Sequence, residues 1–189
     1  KRLTPPPVKL LSQQLGLPFI QPDKMKGPGV FEQLVSWNPD FIVAAAFGRI
    51  LRQDLLDLPR LGCINVHASY LPRWRGAAPI QAAILHGDRS TGVTIMKMDA
   101  GVDTGPILAR ELVNIESDDT SITLTAKLAQ VGSKLPIPAL QGYLNGSLVP
   151  EAQTEEGATY APMINKEDGL LDFTQHAVSL ERKVRAFID

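Results

Sequence analysis

Asn65 and His67 stand two residues apart in Cys63-Ile-Asn-Val-His-Ala-Ser-Tyr-Leu-Pro-Arg-Trp-Arg-Gly76, a β-branched apolar stretch that stops in a polar, proline-containing loop. Strand residues two apart leave the same face, so an amide and an imidazole would project side by side, roughly 6 to 7 Å apart. A second polar cluster, Asp99-Ala-Gly-Val-Asp103-Thr-Gly-Pro, follows downstream. Amide, imidazole and carboxylate are the parts needed to handle a carbonyl in acyl transfer. If a carbonyl carbon moves between two amines, the transition state carries an oxyanion that preorganised donors stabilise. Asn65 donates without titrating, and His67 can donate when protonated or relay protons when neutral. Asp103 can hold the imidazole or accept a proton through water. The nucleophile would come from the substrate, since no activated Ser, Cys or Lys is evident.

Each residue also has a plainer use. An Asn or a His at a strand end is often structural, and this pair stands out only because it shares a face and runs into one loop. Asp103, between Gly101 and Gly105, also fits a turn. Arg73-Trp74-Arg75 is either a surface loop with snorkelling side chains or a platform for an anionic partner. His86 and His176 receive no role. Cys63 is read as a small, buried, inert side chain. With 3 His, 1 Cys and no His-x-x-x-His or Cys-x-x-Cys spacing, no metal is expected. No Gly-x-Gly-x-x-Gly or Walker pattern indicates a dinucleotide or nucleoside triphosphate.

Those side chains need a scaffold. The 189 residues, 44% hydrophobic and 21% charged, suffice for one substantial core with a tail. A formal net charge of -1 gives no overall electrostatic footprint of nucleic-acid binding. The single cysteine excludes an internal disulfide and fits a reducing compartment. The longest apolar run, Phe41 to Phe47, is too short to span a bilayer, and no membrane association is expected.

Helical spacing is read at Val8 to Gly16, Val30 to Trp37, Ile50 to Leu58, Ala78 to His86, Ser121 to Gly132, Lys134 to Leu144 and Leu180 to Ile188. Strands are read at Leu17 to Ile20, Asp40 to Ala46, Gly62 to His67, Thr91 to Met98 and Pro106 to Asn114. Asp40 to Ala46 lacks alternation, as expected of a strand covered on both faces. The alternation of helices and strands implies an α/β fold with a doubly wound, mostly parallel sheet. Ligands bind beyond the carboxyl ends of such strands, so the segments after Ala46, His67 and Met98 are expected on one rim.

The strings Asn65-Val-His67, Ser69-Tyr-Leu-Pro-Arg-Trp-Arg-Gly-Ala-Ala-Pro79-Ile and Asp99-x-Gly-x-Asp103-Thr-Gly resemble the folate-dependent formyltransferases. Among these, the Leu71 to Ile80 loop and Gly92-Val-Thr-Ile-Met96 are most similar to members that act on methionyl-tRNA. The resemblance implies a Rossmann-like domain and 10-formyltetrahydrofolate as formyl donor. It implies Asn65, His67 and Asp103 as the catalytic set. Ser69, Tyr70, Leu71 and Pro72 match the loop associated with the folate, and Gly48, Arg49, Ile50 and Leu51 match the stretch lining the pterin pocket.

The acceptor implied is the α-amino group of initiator methionyl-tRNA, with a sugar-nucleotide amine or a purine precursor as alternatives. A folate-binding module without catalysis is a further reading. Residues 1–145 are read as a catalytic domain lacking the family's first strand, helix and strand. Residues 146–189 are read as a connecting segment and helix leading toward a β-barrel domain. Lys1-Arg2-Leu3 resembles the end of a basic, tRNA-entering loop, and Tyr70 stands where the family often has Leu. A cytoplasmic monomer is expected, with mitochondrion and plastid left open.

Overall fold

The structure is a computed structural model that describes residues 4–188; Lys1-Arg2-Leu3, the expected basic loop end, lie outside them. Contacts divide the chain into a unit ending at Pro39 and a unit beginning at Asp40. The first unit carries helices α1 (Pro7–Gln14) and α2 (Val30–Ser36). Proline in the first turn of α1 costs nothing, because that N–H has no helical acceptor. The chain leaves α1 through Gly16 at φ 65°. Leu17 to Ile20, expected as a strand, forms none. Pro18 removes one ladder donor there.

The second unit is built on a four-stranded sheet ordered β1 (Ile42–Ala45), β2 (Cys63–His67), β4 (Ser90–Lys97), β5 (Ile107–Asn114). Between β2 and β4 lie β3 (Arg75–Gly76) and α4 (Pro79–His86), and the single turn α3 (Gln53–Leu56) joins β1 to β2. The spacing from Ile50 to Leu58 predicts a helix. It starts only after Arg52, and Pro59 biases Leu58 away from helical backbone.

The sheet is α/β in class but mixed rather than mostly parallel. β1 and β2 are parallel, whereas β2–β4 and β4–β5 are antiparallel. The loop between β4 and β5 returns the chain directly alongside, which only antiparallel pairing allows. Between β2 and β4, an intervening helix is compatible with either direction, so the alternation of elements does not fix how these strands pair. β1 is the edge of this sheet among the described residues. Its Val43 is 43% exposed, which corrects the expectation of a strand covered on both faces.

Alternation along β2 splits its side chains between two environments. Ile64 and Val66 face a core with Val93 and Ile95 of β4 and with Leu124 and Leu128 of helix α5 (Ser121–Lys134). Cys63, Asn65 and His67 face the other side. Thr120 caps α5, its hydroxyl accepting from Thr123 N–H while the Thr123 hydroxyl accepts from Thr120 N–H. The break before helix α6 (Pro136–Leu144) falls at Leu135-Pro136 rather than at Gly132-Ser133, since Pro136 brings no N–H to continue the ladder.

Beyond α6, the two-residue strand β6 (Tyr160–Ala161) pairs in parallel with β3. Helix α7 (Ala177–Phe187) sends Ala186 into the core that holds Ile84 of α4. No helix among the described residues is long and apolar enough to cross a membrane.

Candidate active site

On the face of β2 away from α5, three polar side chains meet. The Asn65 amide donates to Asp103 Oδ1 at 3.1 Å. His67 Nδ1 lies 3.6 Å from Asp103 Oδ2, and Gly76 N–H donates to that same oxygen at 2.9 Å. His67 is 5% exposed and the Asp103 side chain 14% exposed, so the carboxylate is largely enclosed yet reachable. Asp103 does not reach the site from the carboxyl end of a strand parallel to β2. β4 is antiparallel to β2, with Lys97 opposite Ile64, so its following loop starts near the amino end of β2. The loop then folds across the sheet face to reach Asn65 and His67.

Two backbone groups complete the arrangement. His67 Nε2 lies 2.8 Å from the Trp74 carbonyl, which can only accept, so Nε2 carries hydrogen and donates. Proton exchange is thereby left to Nδ1, the nitrogen that faces Asp103. Trp74 and Asp103 both hold positive φ, 63° and 52°. Non-glycine residues adopt this region sparingly, and such conformations cluster where surroundings impose them for function. Gly76 must be glycine: at φ 108° a Cβ would sit 2.6 Å from the Ala161 carbonyl oxygen.

The loop matched to the folate is tied down from within. Ser69 and Leu71 are both 0% exposed, so their side chains support the loop instead of lining a surface. The Ser69 hydroxyl donates to the Arg73 carbonyl at 2.6 Å. The Thr94 hydroxyl donates to the Ser69 carbonyl at 2.7 Å and accepts from Leu71 N–H at 3.1 Å. Arg110 donates to the Leu71 carbonyl at 2.8 Å and stacks over the Tyr70 ring at 4.7 Å. What this loop can offer a ligand is therefore confined to Tyr70 and Pro72, which are half-buried. Gly48, Arg49 and Ile50 are exposed and Leu51 half-buried. They follow β1, whose carboxyl end lies beside that of β2 because the two strands are parallel.

Thr94 is 0% exposed and satisfies two backbone groups of that loop. Thr94→Val is isosteric but leaves Leu71 N–H and Ser69 C=O without their partner, and should lower stability by about 2 kcal/mol. Urea midpoints of Thr94→Val and Thr94→Ser check this: serine keeps the hydroxyl and loses only one buried methyl, so its midpoint should fall less than that of valine, and an unshifted valine variant would contradict the account.

The Arg73-Trp74-Arg75 triplet is neither a snorkelling loop nor a free cationic platform. Arg75 is 1% exposed and its Nη1 pairs with Glu155 at 3.1 Å. Arg73 stacks over Trp74 at 4.3 Å and pairs with Asp88 at 2.7 Å, and the Trp74 indole donates to Asp88 at 2.6 Å. Burial pushes the Asp88 carboxyl up, but the hydrogen bonds from Arg73 and Trp74 outweigh it and hold the group below its ordinary value. A carboxyl whose folded pKa is depressed stabilises the fold above its unfolded pKa and loses that contribution as pH falls below about 4. Asp88→Asn should therefore be less stable than wild type at neutral pH, with the gap closing below about pH 4; urea midpoints at several pH values test it. A gap independent of pH would refute the assignment.

Cys63 is 1% exposed, and burial followed by the Asp57 charge pushes its thiol up to about 11, so it supplies no nucleophile. Among the described residues no group of three or more His, Cys, Asp or Glu is arranged to hold a metal. A cavity of about 360 Å³ lies nearby, lined by Trp74, His86, Tyr160 and Phe187 among others, but none of Asn65, His67 and Asp103 lines it.

Amide, imidazole and carboxylate gathered on one sheet face make a site suited to transfer of a carbonyl group, and comparisons give the family. The profile described as formyl transferase matches residues 1–140, and the chain belongs to that family. It is 52% identical over 185 residues to a protein of Myxococcus xanthus named methionyl-tRNA formyltransferase, covering 98% of this chain and 59% of that one. A Halorhodospira halophila protein of the same name is 50% identical, covering 98% of this chain and 60% of its own length. The chain thus spans about 60% of the curated relatives it matches. Among solved structures, the sugar 3N-formyl transferase WlaRD superposes with a TM-score of 0.77 at 20% identity, covering 96% of this chain and 63% of that one. Methionyl-tRNA formyltransferase from Clostridium thermocellum gives 0.71 at 20% identity, covering 94% and 75%. These likenesses support the Rossmann-like formyltransferase fold.

The sequence reading missed Gly76, whose N–H holds Asp103, and the Trp74 carbonyl, which holds His67. The glycine closing the Arg-Trp-Arg loop was the available signal for the first. Nothing local marks a backbone carbonyl.

Proposed function

We propose that this chain carries the catalytic part of an enzyme that transfers a formyl group from 10-formyltetrahydrofolate to the α-amino group of initiator methionyl-tRNA. The observation carrying the chemistry is the Asp103 carboxylate held between Asn65, His67 and the Gly76 N–H. The choice of acceptor is supported by the names of relatives about half identical to this chain. The donor presents a formyl carbon on nitrogen. Its binding surface is proposed as the Gly48-Arg49-Ile50-Leu51 stretch with Tyr70 and Pro72, on the loop that buried Ser69 and Leu71 hold in place.

The new C–N bond forms from the acceptor amine and the old one to the folate nitrogen breaks. Asn65 commits one amide hydrogen to Asp103 and has a second for the oxyanion that develops on the formyl oxygen. His67, donating through Nε2 to Trp74, is poised to take or give a proton at Nδ1. Asp103 receives the proton lost by the attacking amine, directly or through His67, and the leaving folate nitrogen recovers it. Residues 1–145 would supply the reacting side chains, while 146–189 would brace them through β6 and Gln153 and lead toward a further domain, in a cytoplasmic monomer with no metal.

A competition assay tests the reading: the complete protein, 10-formyltetrahydrofolate, and three acceptors together, namely initiator methionyl-tRNA, a sugar-nucleotide amine and a purine-precursor amine. Formyl on the tRNA is expected. Formyl confined to a small amine overturns the acceptor, and folate binding by calorimetry without any transfer overturns the enzyme.

A further inference from the structure

Asp103 is gripped at both ends by one strand. Its carboxylate takes the N–H of Gly76, and its backbone is held by the side chain of the residue before Gly76, through an intermediary. Gln153 Nε2 donates to the Asp103 carbonyl at 2.9 Å and to the Gly105 carbonyl at 2.7 Å. Gln153 Oε1 accepts from Arg75 Nε at 3.1 Å. Arg75 is itself fixed, with Nη1 on both Glu155 carboxylate oxygens at 3.1 and 3.2 Å and Nη2 3.5 Å from the Thr154 carbonyl. The ring of contacts Arg75–Gln153–Asp103–Gly76 therefore closes through the backbone of β3.

We infer that Gln153, aimed by Arg75, is a positioning residue that holds Asp103 in its positive-φ conformation and so sets the distance between carboxylate and imidazole. Three observations lead there. Asp103 sits at φ 52°, a region L-residues adopt sparingly, Asp and Asn more readily than most, so the contacts around the turn decide whether it is kept. Gln153 is the side chain that spans both carbonyls of the Asp103–Gly105 turn, and a glutamine amide has two N–H groups for that purpose. The amide is also oriented unambiguously: guanidinium Nε only donates and carbonyls only accept, so oxygen must face Arg75 and nitrogen must face the turn. This inference deepens the proposed formyl transfer and rests on it for its kinetic arm only.

The experiment compares the complete protein with Gln153→Glu and Gln153→Leu. Gln153→Glu keeps size and the acceptor for Arg75 but cannot donate to the two carbonyls; Gln153→Leu removes both functions. Ring resonances of His67, assigned among the 3 histidines, report on Asp103 without reference to activity. They should move in both variants toward their position in Asp103→Asn. In transfer assays kcat should fall by about tenfold to a hundredfold, as misplacement of a reacting group does, with the pH profile altered and KM for donor and acceptor little changed. Unmoved His67 resonances, in whichever variant folds, overturn the inference. So does wild-type kcat with an unaltered pH profile in Gln153→Glu, since a residue that merely anchors Arg75 would tolerate glutamate. Shifted resonances in a protein that transfers no formyl group would uphold the positioning role and refute the reaction instead.

Discussion

Asp103→Asn folds and loses turnover by about a thousandfold, or about 4 kcal/mol of barrier, on the proposed reaction. Asparagine tolerates positive φ and has nearly the same shape, so the turn can survive. Asn65 and Gly76 donate to different oxygens, Oδ1 and Oδ2, so asparagine would turn its NH2 toward one of these donors and lose that bond. More importantly, a neutral amide can neither take the amine's proton nor balance a protonated His67 across the present 3.6 Å. Single-turnover formyl transfer, with a thermal melt as the control for folding, measures both halves. Wild-type turnover in a folded variant would remove Asp103 from the mechanism.

Asn65→Ala is the second large effect. Loss of one preorganised oxyanion donor costs about a hundredfold to a thousandfold in kcat, and substrate affinity should change far less. The fold should hold, because Asn65 lies on the site face of β2 while Ile64 and Val66 make the packing contacts on the other. Asp103 Oδ1 would turn to water in a half-buried site, which limits the stability cost. Steady-state kcat and KM separate the two contributions. A rise in KM at constant kcat would reassign Asn65 to ground-state binding.

How far the residues announced this arrangement depended on how local each cause is. The β2 strand was legible because alternation in Cys63-Ile-Asn-Val-His67 separates apolar from polar positions within five residues. Most helices were legible for the same reason, with ends misplaced where Pro59 and Pro136 act across a boundary. Strand direction was not legible, since antiparallel β4 and a parallel strand would show the same apolar run. The paired dipeptides β3 and β6 are too short for any period, and their pairing explains why Arg75 is buried when its neighbours suggested a cationic surface.

At the site, the three side-chain types and the spacing of two of them pointed to acyl transfer, and their meeting was expected. The route was not, because the Asp103 loop crosses the sheet face from the far end of an antiparallel strand. Gln153 carried no signal at all: its contact with Asp103 spans 50 residues and uses only a side-chain amide and a backbone carbonyl.

The most direct test of the account is a double-mutant cycle on single-turnover formyl transfer, with Asn65→Ala, Asp103→Asn and both together in the complete protein. Groups that act as one unit lose nearly everything when either is removed, so the double variant should be about as slow as the slower single variant. Losses that simply multiply would show two independent contributions, and that result would contradict the concerted site described for Asn65, His67 and Asp103.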